Sequence, residues 1–410
     1  MIKIHPELAK NPGILVAAVL GLTIGMLSGL FYSMGTLIPV WEAEFGWSRG
    51  DMSLSLTFVT LALFLFGTTA GHLGDKFGAA TVGGLSLAIY GGLLILLAAF
   101  MTELWQLWLG YVVLAVVGAG STAIVLIRPI AAVFDARRGL AMGITMTGAG
   151  IAGFWVPQFV AFMIEFDGWR SAMMALGAMA IIVAPIVWFG FREQKGKAAA
   201  KIVEETGPEF SEAIRSQTFW ILSLMAIAMS LGVGGLVVHF VPMFTDLGAD
   251  SVRAAQIASI LGLSSVVGRI AVGMLLDRMS APLVALGTLA LAAFGVMLLY
   301  AFDLQFAPLA VALVGLAAGA EVDLIAYLCS RQFGTRAYGK IYGWQYSVFV
   351  MGYGFSPFLV GLARDHFGNY NFALLASAGA VAIAGLVAPL LRSRPEFEAS
   401  EMGGGTLSEA

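Results

Sequence analysis

The sequence has few charged residues and a single cysteine. Only 11% of its 410 residues are Asp, Glu, Lys or Arg, whereas 59% are hydrophobic, and the mean hydropathy is +0.90. A soluble domain needs about a quarter of its residues charged to coat its surface, so most of this chain must face lipid rather than water. The one cysteine, Cys329, excludes an internal disulfide, and no Cys/His cluster has the spacing of a zinc site.

The signals of several other protein classes are also missing. The sequence has no basic tract typical of nucleic-acid binding, no P-loop that would bind ATP, and no arrangement of nucleophile, base and orienting group typical of an enzyme. The net charge of -3 identifies no partner. We therefore expect no enzymatic activity, no nucleic-acid partner, no cofactor and no metal.

What the chain has in abundance is long apolar runs. Stretches of about 20 residues, the length that spans ~30 Å of hydrocarbon, recur between short polar breaks. The apolar run after Lys3 and Lys10 is too long for a cleaved signal peptide. The pattern predicts an all-α membrane protein with twelve transmembrane helices, near residues 13–40, 51–71, 80–101, 104–133, 140–164, 170–190, 218–242, 253–275, 281–302, 307–330, 340–363 and 371–391.

One long polar segment divides the predicted helices into two sets of six. We predict an N-terminal six-helix bundle over residues 1–191 and a C-terminal six-helix bundle over 218–392. Between them, residues 192–217 form a cytoplasmic linker with a short helix along the membrane surface, and residues 393–410 form a cytoplasmic tail.

The distribution of Lys and Arg predicts the orientation. Of the 22 basic residues, Arg128 and Arg269 fall within helices, and four fall in one set of loops, namely Arg49, Arg170, Arg253 and Arg364. The others lie on the opposite side. Because cytoplasmic loops carry the excess of Lys and Arg, we expect both termini in the cytoplasm of a multi-pass protein of the bacterial inner membrane.

The two halves of the chain resemble each other. Gly71 to Lys76, after predicted helix 2, matches Gly273 to Arg278, after helix 8, at an offset of 202 residues. Pro39 and Gly46 match Pro242 and Gly248 at nearly the same offset. Parallel repeats of this kind form two bundles with a substrate site near the membrane midplane between them.

These repeated motifs resemble a known family. GHLGDKFG (71–78) and GMLLDRM (273–279) are similar to the loop signature of the major facilitator superfamily, and the resemblance extends from about Gly13 to Leu391. FYSMGTLIP (31–39), GRIAVG (268–273) and GAEVDLIAYL (319–328) resemble the monocarboxylate porter and oxalate:formate antiporter group. The resemblance implies transport of small carboxylates, either with a proton or by anion exchange.

The resemblance also identifies a substrate-binding arginine. The group carries it on helix 8, four residues before the loop glycine, where this chain has Arg269. Ser265 replaces the acid that animal porters keep four residues before this arginine, and Gln345 aligns with a lysine of the oxalate carrier. The missing second positive charge favours a monocarboxylate over a dicarboxylate such as oxalate.

Four charged residues are predicted within the membrane, where a charge costs at least ~2.5 to 3.5 kcal/mol. They are Arg128, Arg269, Glu321 and Asp323. The guanidinium of Arg269 could bind a substrate carboxylate through its planar fork, or be held structurally by Glu321 or Asp323. These two acids lie about 200° apart on a helix. The resemblance places Glu321 beside the cavity-facing stripe of helix 10. Either acid could carry a proton, or form a permanent pair with an arginine.

Further residues have both a functional and a structural interpretation. Tyr32, Tyr342, Gln345 and Tyr346 could complete a substrate pocket or serve packing, and His239 could titrate near neutral pH or pack at the interface. Arg128 could attract anions or extend to the interface. The charges predicted to form a cytoplasmic latch, or else a solvated loop, are Asp75, Asp277, Arg137, Arg138 and Arg336.

Together these observations predict a monomeric secondary transporter that moves a small organic anion across the lipid bilayer by alternating access. A monocarboxylate coupled to protons is the first hypothesis. The alternatives are an anion exchanger, a proton-coupled drug or cation exporter in which Glu321 and Asp323 bind the cation, and a non-transporting membrane sensor.

Overall fold

The computed structural model describes residues 11–134, 138–192, 207–334 and 336–391. Ten stretches of these residues are long and apolar enough to cross a membrane, and two of them, Leu140–Phe191 and Ala281–Phe333, are long enough to cross it twice. The first of the two breaks at Asp167 and Gly168, where the backbone leaves the helical region, and the second breaks at Asp303–Phe306. The described residues therefore form twelve membrane helices, which confirms the predicted all-α fold.

The membrane helices are numbered in chain order. They are α1 (Pro12–Phe45), α2 (Arg49–Phe77), α3 (Ala79–Phe100), α4 (Leu104–Val133), α5 (138–166), α6 (169–191), α7 (Gln217–Asp246), α8 (Ser251–Leu276), α9 (Ala281–Phe302), α10 (Ala307–Phe333), α11 (Tyr338–Phe367) and α12 (Asn371–Val387). A short helix, Phe210–Ala213, lies in the predicted linker. Residues 193–206 of that linker and the predicted tail lie outside the described residues.

The chain divides into two compact units. The first unit contains residues 1–199, 237–263 and 357–369, and the second contains 200–236, 264–356 and 370–410. The first unit thus includes the ends of α7, α8 and α11 that the charge pattern assigns to the outside. The boundaries predicted for the two six-helix bundles stay a prediction.

Glycines explain why these helix ends pack within the first unit. A Cβ atom at Gly35 of α1 would meet the backbone of Val238 on α7, and one at Gly262 of α8 would meet the backbone of Gly153 on α5. Without side chains, the helix backbones can approach closely, as is common in membrane proteins.

Helices α1 and α4 are both interrupted, and the two breaks touch. Helix α1 breaks at Gly25, and α4 contains a 3-10 turn at Ala119–Ser121. The break frees the backbone N–H of Met26, which donates to Ser121 Oγ at 3.1 Å. Such a bond satisfies a backbone donor that lipid could not hydrogen-bond. The two kinks therefore stabilise each other.

Helices α8 and α10 pack closely within the second unit. A Cβ atom at Gly268 would meet the backbone of Leu316, and one at Gly319 would meet the backbone of Ser265. The Tyr327 hydroxyl donates to the Leu276 carbonyl at 3.3 Å. These contacts set the rotation of α10 against α8.

We expect Gly319→Ala to lower the melting temperature of the purified protein, because its methyl group would push α8 and α10 apart. Overpacking of this kind typically costs about 1–3 kcal/mol. Gly273→Ala on α8 is the matched control, since no heavy atom lies within 4 Å of its Cβ position, and alanine favours helix by up to about 1 kcal/mol. Equal melting temperatures for Gly319→Ala and the unaltered protein would contradict this packing.

Candidate functional site

Arg269 lies on a side of α8 that does not face lipid. The lipid-facing side is marked by the exposed apolar residues Leu263, Val267, Ile270 and Met274, which recur at helical spacing. At 100° per residue, Arg269 is roughly 130° from the centre of this stripe. Its side chain is nevertheless 20% exposed. Arg269 therefore borders an open space within the protein rather than the bilayer.

The contacts of Arg269 all use one edge of its guanidinium. Its Nε donates to the Gly319 carbonyl oxygen at 3.2 Å and lies 3.2 Å from Asp323 Oδ2. Among the residues that the structure describes, neither terminal nitrogen, Nη1 or Nη2, makes a hydrogen bond. The two terminal N–H groups that match a carboxylate are thus available.

The two acids of α10 have opposite surroundings. Asp323 pairs with Arg269 and is 47% exposed, whereas Glu321 is only 1% exposed. Within the described part of the chain, Glu321 Oε1 has no hydrogen-bond partner. Burying an ionised carboxylate without a partner is costly. Asp323, rather than Glu321, is the acid that shares its surroundings with Arg269.

The predicted residues of α11 make different contacts. Gln345 is fully buried, and its amide donates to the Phe219 carbonyl of α7 at 3.1 Å. Tyr342 and Tyr346 stack on each other with ring centroids 5.8 Å apart. Tyr342 also stacks on Tyr338, whose hydroxyl donates to the Ala326 carbonyl of α10, three residues after Asp323. The structure therefore connects the tyrosines of α11 to the part of α10 that carries Asp323, and gives Gln345 a helix-packing contact.

Tyr32 lies in the first unit, apart from this group in the second. A Cβ atom at Gly153 of α5 would lie 3.1 Å from the Tyr32 ring. The structure thus places Tyr32 of α1 against Gly153, which also lies against Gly262 of α8. The predicted role of Tyr32 in substrate binding stays a prediction.

Arg128 pairs with Asp75, the aspartate of the first repeated motif. Its guanidinium passes over Gly71 and Gly74 of α2, where a Cβ atom would lie 3.1 Å from Nη2 and 3.7 Å from Nη1, respectively. Its Nε also donates to the Ile124 carbonyl at 3.0 Å. The two motif glycines thus make room for the arginine to reach Asp75.

The other predicted latch charges do not meet one another in the described residues. Arg336 pairs with Glu209 at 2.9 Å, beside the short linker helix. Asp277 is exposed and makes no ion pair within the described residues. Arg137 lies outside the described residues, as does the side chain of Arg138. The latch as predicted therefore stays a prediction, with Arg128 as the observed partner of Asp75.

Sequence reasoning missed an ion-pair network at the predicted outer ends of four helices, all within the first unit. Arg49, at the start of α2, is 3% exposed. Its two terminal nitrogens bind both carboxylate oxygens of Asp246 on α7, at 2.8 and 2.7 Å, and its Nε donates to Glu42 on α1 at 2.9 Å. Arg364 of α11 lies 3.3 Å from Asp246 and 3.8 Å from Glu42. We call Arg49, Glu42, Asp246, Arg364 and Asp365 the outer network.

Asp365 and His239 join further elements to this region. The Asp365 carboxylate accepts the backbone N–H groups of Arg49 and Gly50, at 3.2 and 2.7 Å. His239 is fully buried, with Nε2 3.1 Å from Ser53 Oγ and 2.9 Å from the Pro357 carbonyl oxygen. Helices α1, α2, α7 and α11 are thus held together at this end.

Comparison with known proteins shows the same architecture and a set of relatives. Residues 19–357 match the sequence profile of the family described as Major Facilitator Superfamily. The chain is 28% identical to monocarboxylate transporter 13 of Bos taurus over 371 residues, covering 88% of this chain and 84% of that protein. It is 25% identical to human monocarboxylate transporter 11 over 394 residues, covering 90% and 80% of the two chains.

Solved structures share the fold at lower identity. A bacterial homologue of the human lysosomal transporter Spinster, in an inward-facing and occupied conformation, superposes with a TM-score of 0.74 at 17% identity, over 97% of this chain and 98% of that one. A D-xylose-proton symporter superposes with a TM-score of 0.71 at 14% identity, over 94% and 99%. The match over most of the chain and the shared twelve-helix fold lead to one conclusion: this protein belongs to the major facilitator superfamily and is a multi-pass membrane transporter, not an enzyme.

Proposed function

We propose that this secondary transporter carries a small organic anion, a monocarboxylate, together with a proton. The observation that carries the proposal is Arg269, a permanent positive charge within the membrane whose two terminal nitrogens make no hydrogen bond among the described residues. A guanidinium presents these N–H groups in the geometry of a carboxylate. The similarity to monocarboxylate transporters 11 and 13 supports the same substrate class.

The charges around Arg269 support coupling to a proton. With Asp323 ionised, the pair of Arg269 and Asp323 is neutral. A bound monocarboxylate adds a second negative charge beside one guanidinium, and like charges at close range oppose each other. A proton taken up by Asp323 restores neutrality. One anion and one proton then move together, and alternating access exposes the loaded site to each side in turn.

Flux measurements in proteoliposomes test this function. An inward proton gradient should drive accumulation of radiolabelled monocarboxylates such as acetate, pyruvate or benzoate. Exchange without response to the gradient would instead identify an anion exchanger, and uptake of organic cations would identify the exporter. Binding without any flux would identify a sensor.

We expect Asp323→Asn to abolish accumulation driven by the proton gradient while leaving counterflow, the exchange of labelled for unlabelled substrate, largely intact. Counterflow moves no net proton, so it does not need a titrating group. Glu321→Gln is the matched control on the same helix, two residues away but buried. Glu321→Gln should retain gradient-driven accumulation, and a single monodisperse peak in size-exclusion chromatography would show that this variant is folded. Full accumulation by Asp323→Asn would contradict the role of Asp323.

The expected setting is a monomer in a lipid bilayer. The bacterial inner membrane is retained as a prediction, and the relatives named above are vertebrate proteins that do not support it.

A further inference from the structure

Helix α11 carries a continuous row of aromatic rings. Tyr338 and Tyr342 stack with centroids 5.6 Å apart and an interplanar angle of 3°, and Tyr342 and Tyr346 stack at 5.8 Å and 29°. The row continues through Phe349, 6.4 Å from Tyr346, to Tyr353, 5.9 Å further on. We call these five residues the aromatic ladder. All of them belong to the second unit, as does Arg269.

The ladder lies on the side of α11 that faces away from lipid. The lipid-facing side carries the exposed residues Trp344, Leu359 and Leu362. At 100° per residue, the ladder lies roughly 100–180° round the helix from the centre of that stripe. Tyr346 is still 38% exposed. An aromatic ring that is exposed on the side opposite to lipid borders an open space, not a packed core.

Two of the ladder hydroxyls are available for a ligand. The Tyr338 hydroxyl donates to the Ala326 carbonyl of α10 at 3.4 Å. Within the described part of the chain, the hydroxyls of Tyr342 and Tyr346 make no hydrogen bond. Tyrosine hydroxyls in apolar surroundings usually find a partner. Tyr338 therefore anchors the ladder, and the next two tyrosines present unoccupied hydroxyls beside their rings.

The ladder is linked to the arginine through α10. Tyr338, the first residue of the ladder, donates to the carbonyl of Ala326, three residues after Asp323 on α10, and Asp323 Oδ2 lies 3.2 Å from Arg269 Nε. Arg269 and the first tyrosine of the ladder thus both bind one stretch of α10, from Gly319 to Ala326, which includes Asp323.

We infer that the transported anion is an aryl monocarboxylate, with its carboxylate on Arg269 and its aromatic ring against Tyr342 and Tyr346. This inference rests on the proposed function and specifies its substrate class. Offset or edge-to-face aromatic contacts favour a ring over an aliphatic chain of similar size. A two- or three-carbon acid would reach the arginine but leave the ladder without a partner. The unoccupied hydroxyls suit a ring that carries a polar substituent.

The experiment compares uptake of phenylacetate and 4-hydroxyphenylacetate with that of acetate and pyruvate in proteoliposomes. We expect a lower KM for the two aryl acids. Tyr346→Ala should raise the ratio of the KM for phenylacetate to the KM for acetate roughly 3- to 10-fold, the effect of losing one aromatic pair. Tyr346→Phe keeps the ring and should restore phenylacetate uptake.

Trp344→Ala is the matched control, because Trp344 is a partly exposed aromatic residue of the same helix whose ring contacts Phe219 and Trp220 of α7 rather than the ladder. It should leave the KM for phenylacetate unchanged. Transport of acetate and pyruvate with exclusion of both aryl acids would overturn the inference and leave the proposed function standing. An equal loss of acetate and phenylacetate uptake in Tyr346→Ala would also overturn it. Uptake of phenethylamine with no uptake of any carboxylate would overturn both, since it would make the ladder a cation site.

Discussion

Arg49→Ala should open the predicted outer end of the first unit. Arg49 binds Asp246 of α7 and Glu42 of α1, and its removal leaves these two acids with Arg364 as their one ion-pair partner among the described residues. Removing one partner of a buried pair typically costs about 3–5 kcal/mol. Because both acids are about a third exposed, solvent screening lowers this cost. Even ~1.4 kcal/mol shifts a conformational equilibrium tenfold.

A cysteine introduced as Ser53→Cys provides the readout. Ser53 is fully buried beside His239, and Cys329, the only native cysteine, is first replaced by serine. A membrane-impermeant thiol reagent added outside should label residue 53 at least several-fold faster in Arg49→Ala. Arg253→Ala is the control, since Arg253 is an exposed arginine on the same predicted side. Unchanged labelling in Arg49→Ala would show that the outer network does not control access.

Arg269→Ala is expected to abolish monocarboxylate uptake while the protein still folds. A bidentate carboxylate forms two charge-assisted hydrogen bonds, worth about 1.5–3 kcal/mol each, so uptake should fall at least about 100-fold. Asp323 loses its partner but stays hydrated, because it is 47% exposed. Arg269→Lys keeps the charge but loses the planar fork, and it should retain uptake with a KM raised roughly tenfold.

The sequence was sufficient to predict the membrane helices, because each requires about 20 apolar residues and the breaks between them are polar. It could not choose between Glu321 and Asp323 as the partner of Arg269. Their spacing shows only that they face different directions, and the direction of each depends on how α10 rotates against α8. That rotation is set by the close approach at Gly268 and Gly319, which no single-helix pattern contains.

The outer network was missed for a related reason. Arg49 and Arg364 were counted only as basic residues of outer loops, where exposed charges are common. Their partners are distant in sequence: Arg49 binds Asp246, 197 residues away, and Asp365, more than 300 residues away. The predicted topology did contain one signal of this network. It places Arg49, Arg364 and Asp365 at helix ends on the same, outer side of the membrane.

Gln345 illustrates the limit of alignment with a relative. The resemblance placed it where the oxalate carrier has a lysine, which suggested a pocket position. In the structure its amide donates to the backbone of Phe219. Tyr342 and Tyr346, three residues before it and one after, instead stack on each other in the aromatic ladder. A position on a helix can be aligned correctly while its surroundings are decided by the neighbouring helix.

Calorimetry of carboxylate binding tests directly whether Arg269 binds the substrate. Purified, monodisperse protein is titrated with phenylacetate and with pyruvate, and the same titrations are made on Arg269→Lys and Arg269→Ala. We expect measurable binding to the unaltered protein, weaker binding to Arg269→Lys, and none to a folded Arg269→Ala. Unchanged affinity in Arg269→Ala would contradict this expectation, because the arginine would then be only a structural partner of Asp323.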